Sequence, residues 1–406
     1  MRVFMLCVAA GALLPISAGA QTLSLTEAQA LARLSNESPR VQAVRAAVEL
    51  ARADVLSAAR WPNPRLTYNR EAVAGVTENM FMVAQLLPVA GRRRFEMNAA
   101  SARVDAATSR ADDAVRRLRA DLRLAFTDLW AAQAREQELA RSRDRLRDLA
   151  VVLERREAGG ESAGFDRLRA EREVIDVEAD RAAVAAESAQ ARGVLASFFA
   201  VPPSTDLIDA VRPDAEVAPV PSVEELMARA QTVRGELVAL QRELDAAAFL
   251  ERAADRRRVP EPEIVGGTKS SNTGAGDIGS ILSVHVTVPL FDRGAPERAA
   301  AQARALQVRA EAEALRLGIR TRIAAWRTAL VERRDIADRY RAAVRSGAEE
   351  IERIAQVSYD NGERGILELL DAYRTASSAR VRQATLDAAV REAEIELEFV
   401  SGWEIP

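Results

Sequence analysis

Proline is missing from two long tracts of this chain, and that restricts the fold more than any motif does. None occurs between Pro88 and Pro202, or between Pro296 and Pro406. Proline removes a backbone N–H and clashes with the preceding turn, so a tract without it is free to run as long helices. Both tracts carry apolar residues at spacings of three and four: Leu118, Leu122, Ala125, Leu129 and Ala132 in the first, Leu315, Ile319, Ile323, Trp326 and Leu330 in the second. With Arg and Glu between them, this is coiled-coil spacing. One helix from Arg93 to Glu157 would span roughly 100 Å at about 1.5 Å per residue, a length no compact domain needs.

The chain reads as two copies. Leu25 to Pro64 and Val223 to Pro262 each read as helix ending in a Pro-x-Pro step, Trp61-Pro62-Asn63-Pro64 against Val259-Pro260-Glu261-Pro262. Leu86-Leu87-Pro88 answers Thr287-Val288-Pro289, Gly160 answers Gly362, and Asp166 answers Glu368. These matches keep their order at an offset of about 200 residues, as a tandem repeat would. The division is a first repeat over 21–200, a Pro- and Asp-rich linker over 201–222, and a second repeat over 223–402.

Each repeat holds a β-hairpin, over 65–88 and 263–289. The clearest strand is Ile281 to Val288, where Leu282, Val284, Val286 and Val288 alternate with Ser283, His285 and Thr287, a period of two. His285, the only histidine, falls on the polar face, and a lone histidine makes a poor metal site. Met80 and Met82 are read as facing lipid; as thioethers they are also soft ligands. The loop Lys269 to Asp277 is polar and glycine-rich, a solvated hairpin tip. A small sheet capping a soluble helical bundle would alternate in the same way.

The N-terminus begins with Arg2, a short apolar run and Ala18-Gly19-Ala20 before Gln21. That pattern predicts a secretory signal peptide over 1–20. Cys7, the only cysteine, lies inside it, so a processed chain has no disulfide and no cysteine metal site. No later run is apolar enough for a transmembrane helix, and a membrane role would have to use strands. Aromatic residues are 4% of the chain against 29% charged, a composition of long helices rather than of an enzyme core. The net charge of -3 leaves no uncompensated basic patch for nucleic acid. There is no His-Glu-x-x-His, no phosphate-binding glycine loop and no nucleophile with a histidine base, so neither catalysis nor a cofactor is expected.

Four strands per chain leave two open edges, which copies around a symmetry axis would close. At this point the sequence resembles the outer-membrane efflux proteins, the trimeric exit ducts of tripartite efflux pumps. The carriers are the repeat, Trp61-Pro62-Asn63-Pro64, Gln85-Leu86-Leu87-Pro88 with Gly91-Arg92-Arg93, Val288-Pro289-Leu290-Phe291 with Gly294, and Tyr359-x-x-Gly362-x-Arg364 through Leu369-Leu370-Asp371-Ala372. The resemblance implies a mostly α fold with a small β part. In it a homotrimer forms a twelve-stranded outer-membrane β-barrel continued by a periplasmic α-barrel. It also implies three kinds of partner: a periplasmic adaptor (membrane fusion protein), an inner-membrane pump, and outer-membrane lipid. The Trp-Pro-Asn-Pro step and the Gly-Arg-Arg segment are most similar to the branch serving heavy-metal cation pumps.

The resemblance also names candidate residues. Gly160 and Gly362 would be the turns at the periplasmic tip that meet the adaptor. Asp166, Tyr359 and Arg364 would be the periplasmic gate, with Asp166 reaching Arg364 or Tyr359 across an interface. Glu368 and Asp371, three apart on one helical face, would form an acidic ring at the aperture, attracting cations. Read without the resemblance, all five are equally a solvated helix face. A soluble periplasmic coiled-coil adaptor or scaffold is the alternative for the whole chain.

Overall fold

The computed structural model describes residues 23–160, 164–200, 208–211, 218–274 and 277–404; the predicted signal peptide lies outside the described residues. The first half holds β1 (Leu23–Leu25), α1 (Glu27–Arg33), α2 (Pro39–Ala59), β2 (Arg65–Val73), β3 (Val76–Leu86), α3 (Arg92–Ala158) and α4 (Gly164–Ala196). After β4 (Ile208–Ala210) the second half holds α5 (Val223–Val233), α6 (Gly235–Asp255), β5 (Pro262–Ser271), β6 (Ile278–Val286), α7 (Ala295–Asp360) and α8 (Ile366–Ser401). The order of two helices, a hairpin and two helices thus occurs twice. Helices α3 and α7 are 67 and 66 residues long, and α2 and α6 are both 21.

Local chemistry repeats with the order. Thr26 with Gln29 and Ser222 with Glu225 close capping boxes at the starts of α1 and α5, each satisfying donors the first turn leaves free. Each long helix starts from a left-handed glycine, Gly91 at φ 77° and Gly294 at φ 76°. The stretch Leu25 to Pro64, read as helix from sequence, is broken at Ser35–Ser38, and its counterpart at Arg234. The breaks are held by long-range contacts. Buried Ser38 donates to the Phe198 carbonyl at 3.2 Å, and buried Arg234 pairs with Asp113 at 3.1 Å. The stretch read as linker also contains β4, which pairs in parallel with β1.

Apolar burial follows the predicted periodicity. Leu122, Phe126 and Leu129 of α3 pack with Leu195, Phe198 and Phe199, and Ile319, Ile323 and Leu330 of α7 pack with Leu226, Leu397 and Trp403. A third cluster lies near the far end of the long helices, where Leu146, Leu149 and Leu153 meet Ala170, Ile366, Leu369 and Leu370.

The sheet is antiparallel, in the order β2-β3-β5-β6, and edge strands β2 and β6 have no further partner among the described residues. Its register separates two faces. Leu66, Tyr68, Phe81, Val83, Ile264, Leu282 and Val284 share one and are all exposed. Arg65, Glu78, Glu263, Lys269 and His285 share the other, joined by Arg65–Glu263 and Lys269–Glu78 ion pairs, each 2.6 Å. Met80 and Met82 lie on this polar face, because Met80 pairs with Lys269 and Met82 with Gly267. They therefore share a face with the charged residues, and Phe81 between them takes the apolar side. No helix among the described residues is long and apolar enough to cross a membrane.

Candidate functional site at the helical tips

The turn from α7 to α8 is closed by its own backbone. Gly362 takes φ 73°, donating to the Tyr359 carbonyl at 3.0 Å, and Glu363 donates to the Ser358 carbonyl at 2.9 Å. These two bonds form a Schellman cap, which a residue with a Cβ adopts only with strain. At the end of α3, Gly160 likewise has a left-handed φ of 75° and donates to the Glu157 carbonyl at 2.9 Å. A Cβ at either glycine would stand in open space, so conformation alone selects glycine there.

Tyr359 packs its ring on the apolar cluster at this end, half-buried. Arg156 of α3 stacks over that ring at 5.6 Å and approaches Asp360 at 3.5 Å. The two tips are thus clipped together within one chain. Burial, with Asp166 nearby, pushes the Tyr359 hydroxyl above its usual range, and Arg156 acts in the opposite sense. Arg364 is exposed and has no side-chain partner among the described residues, so the chain alone does not bring Asp166 and Arg364 together.

Asp166 and Glu368 occupy corresponding places, each an acid in the first turn of its helix. There a carboxylate offsets the positive end of the helix dipole. Glu368 turns back toward the start of α8, its Oε2 lying 3.2 Å from where a Cβ on Gly365 would be. Ile366, Leu369 and Leu370 are buried while Glu368 and Asp371 are exposed. The two acids therefore lie together on the solvent side of α8.

Several ion pairs here were not expected from sequence. Arg374 of α8 grips nearly buried Glu173 of α4 through two hydrogen bonds, 2.9 and 2.5 Å long. Glu352 of α7 accepts from Arg145 of α3 at 2.6 Å and from Arg380 of α8 at 2.9 Å. Arg167 links Glu157 across the first turn at 2.6 Å. Arg374 and Glu173, and Arg145 and Glu352, are about 200 residues apart, and only a paired surplus of Arg and Glu hinted at them. Beside Glu173 and Arg374 an open cleft of about 790 Å³ runs between α3, α4 and α8, lined by Leu139, Leu146, Val177 and Val381. No group of acids or histidines among the described residues is placed to hold a metal ion.

No family model matches the sequence, and no curated protein does. Solved structures do. A membrane protein from Pseudomonas aeruginosa superposes with a TM-score of 0.77 at 19% identity, over 93% of each chain. The outer-membrane channel OprN gives 0.75 at 20% identity, over 93% of this chain and 89% of its own. The outer membrane protein VceC from Vibrio cholerae gives 0.74 at 16% identity, over 93% and 96%. The chain therefore has the fold of these outer-membrane channels along nearly its whole length.

Proposed function

We propose that this chain is the outer-membrane channel subunit of a tripartite efflux system, a passive exit duct that works as a homotrimer with a periplasmic adaptor and an inner-membrane pump. The observation that carries the reading is the sheet. Its largely apolar, exposed face, interrupted by Arg70 and Asn79 toward the hairpin tips, suits lipid and its charged face suits a water-filled lumen, and both hairpins continue into helices long enough for a periplasmic tube.

The contacts between the two halves supply a template for ring closure. Inside the chain, β3 pairs with β5 and α3 packs along α6. The corresponding elements left unmatched are β6 with β2 and α7 with α2. A neighbouring copy would supply them head to tail, and three copies would close twelve strands into a barrel. Leu50 of α2 is 72% exposed, whereas Ala246, at the corresponding place in α6, is buried against Ala99 and Ala102 of α3. In the ring Leu50 meets the α7 of the next copy, where Leu306 is also exposed.

Within the duct, Asp166, Tyr359 and Arg364 form the periplasmic gate, Glu368 and Asp371 the acidic ring, and Gly160 and Gly362 the turns offered to the adaptor. Heavy-metal cations are the cargo class favoured by the Trp61–Pro64 step and the Gly91–Arg93 segment. The test is where the protein is found and in what form. It should sediment with the outer membrane and run as a trimer in mild detergent, and Leu50→Asp should reduce it to monomer with its helix content intact. A soluble periplasmic monomer sinks the reading.

A further inference from the structure

The four places where strand meets helix lie at one end of the sheet, since Arg65 pairs with Ala84 and Glu263 with Leu86 and His285. Arginines crowd that level: Arg60 after α2, Arg92–Arg94 opening α3, Arg256–Arg258 after α6 and Arg293 before α7. Of the nearby acids Glu261 has no ion pair among the described residues, and the others are already engaged. Glu96 is held by Arg92 at 3.6 Å, Glu263 by Arg65 at 2.6 Å, Asp292 and Glu297 by Arg257 at 3.0 Å each, and Asp255 by Arg298. Arg60, Arg93, Arg94, Arg256, Arg258 and Arg293 have no carboxylate partner among the described residues.

Two features single this level out. Trp61, Leu290 and Phe291 are exposed in the segments that join strand and helix at this level, Phe291 to 98%. The opposite end has no cation excess, with Arg70 and Lys269 set against Glu71, Glu78 and Asp277. The first turn of α3 also carries three arginines and no acid, a placement the helix dipole opposes. An anionic layer in front of it would relieve that cost.

We propose that this junction is a girdle for the anionic phospholipid headgroups of the membrane leaflet facing the helices. The arginines without a carboxylate partner take the phosphates as charge-assisted hydrogen bonds, and Trp61 and Phe291 enter the zone between headgroups and acyl chains. The proposal rests on the reading of the sheet as the membrane-spanning part. It adds that the leaflet at the helical end must be anionic for full anchoring, which fixes the depth of the sheet by charge as well as by apolar surface.

The test reconstitutes the purified full chain into vesicles of phosphatidylcholine, with and without phosphatidylglycerol. Insertion, read as resistance to alkaline extraction, is scored separately from the phosphatidylglycerol-to-phosphatidylcholine ratio of the lipid that stays bound on re-extraction. The wild type should insert and retain phosphatidylglycerol preferentially, less so as salt is raised. The triple variant Arg94→Gln, Arg258→Gln, Arg293→Gln should still insert, with that preference falling on the order of tenfold. A control that removes three exposed arginines elsewhere, Arg172→Gln, Arg320→Gln and Arg339→Gln, should keep it. Insertion with no lipid preference, or equal loss in control and variant, overturns the girdle alone. Failure to insert into either vesicle overturns the membrane reading, and the girdle with it.

Discussion

Helix α6 lies between two long helices, α3 and α7, whereas α2 packs along one, α3. The two helices have the same length and the same place in their halves, yet α6 buries Ala246, Ala247, Ala253 and Ala254 while α2 leaves Leu50 and Leu56 in solvent. The difference shows which groove between long helices one chain fills itself and which, on the proposed reading, a neighbouring copy would fill. The second half contains its own example of a filled seam, and the first half shows the same seam vacant. Glu243 makes the filled seam visible, accepting from Arg110 of α3 and Arg304 of α7 at once.

The strand-to-helix corners give the sharpest contrast and the largest expected effect. Gly91 and Gly294 have nearly the same left-handed φ. A Cβ on Gly91 meets nothing within 4 Å, while one on Gly294 would stand 2.2 Å from the Ala254 carbonyl oxygen. Gly91→Ala should therefore cost only the backbone conformation, about 1–2 kcal/mol. Gly294→Ala adds a clash with main chain that cannot swing away, and should cost about 3 kcal/mol or more. Thermal unfolding followed by circular dichroism in detergent measures both. Equal losses would mean that α6 and α7 are not pressed together at that corner.

Much of this was legible beforehand. Proline spacing located α3, α4, α7 and α8, and alternation at Leu282, Val284 and Val286 located β6 and its exposed face. Capping residues and glycines carry such information locally. The breaks at Ser38 and Arg234 were not legible, because each is stabilised by a residue far along the chain, Phe198 in one case and Asp113 in the other. Strands β1 and β4 are three residues each, too short for periodicity to register. Met80 and Met82 lie on the polar face although their side chains are apolar, because register sets the face and a one-residue step in a strand reverses it. At the tips, sequence marked Asp166, Tyr359 and Arg364, while Arg156, the residue that stacks on Tyr359, gave no signal of its own.

The tips sharpen the comparison with a smaller effect. The second tip carries Tyr359 and Arg364, and the first carries Asp166 with Phe165 and Leu168 exposed beside it. Exposed ion pairs are worth about 0–1 kcal/mol each, so on the proposed reading bonds among these residues would close the end of the duct weakly enough for an adaptor to open it. Arg364→Ala and Asp166→Ala should each raise single-channel conductance in planar bilayers, and Arg156→Ala should do so by freeing Tyr359. Glu368→Ala with Asp371→Ala should instead leave conductance steps in place and lower cation selectivity. Unchanged conductance and selectivity would return these residues to an ordinary solvated face.

The smallest expected effect lies back at the filled seam. Burial pushes the Glu243 carboxyl upward, but hydrogen bonds and charge from Arg110 and Arg304 outweigh it and hold the group below the usual carboxylate range. A carboxyl depressed in the folded state contributes stability above its unfolded value, about 4.3, and loses it as pH falls through the folded value. Position 47, the corresponding place in α2, is alanine, so α2 has no counterpart to this clamp at that place. Lowering pH below about 4 should loosen α6 from its neighbours before α2 leaves α3, seen as earlier amide exchange along α6. Glu243→Gln should remove that acid step while costing under about 1 kcal/mol at neutral pH, because both arginines are partly exposed and screened. If α2 and α6 exchange in step at every pH, the clamp contributes nothing, and apolar packing alone separates the vacant seam from the filled one.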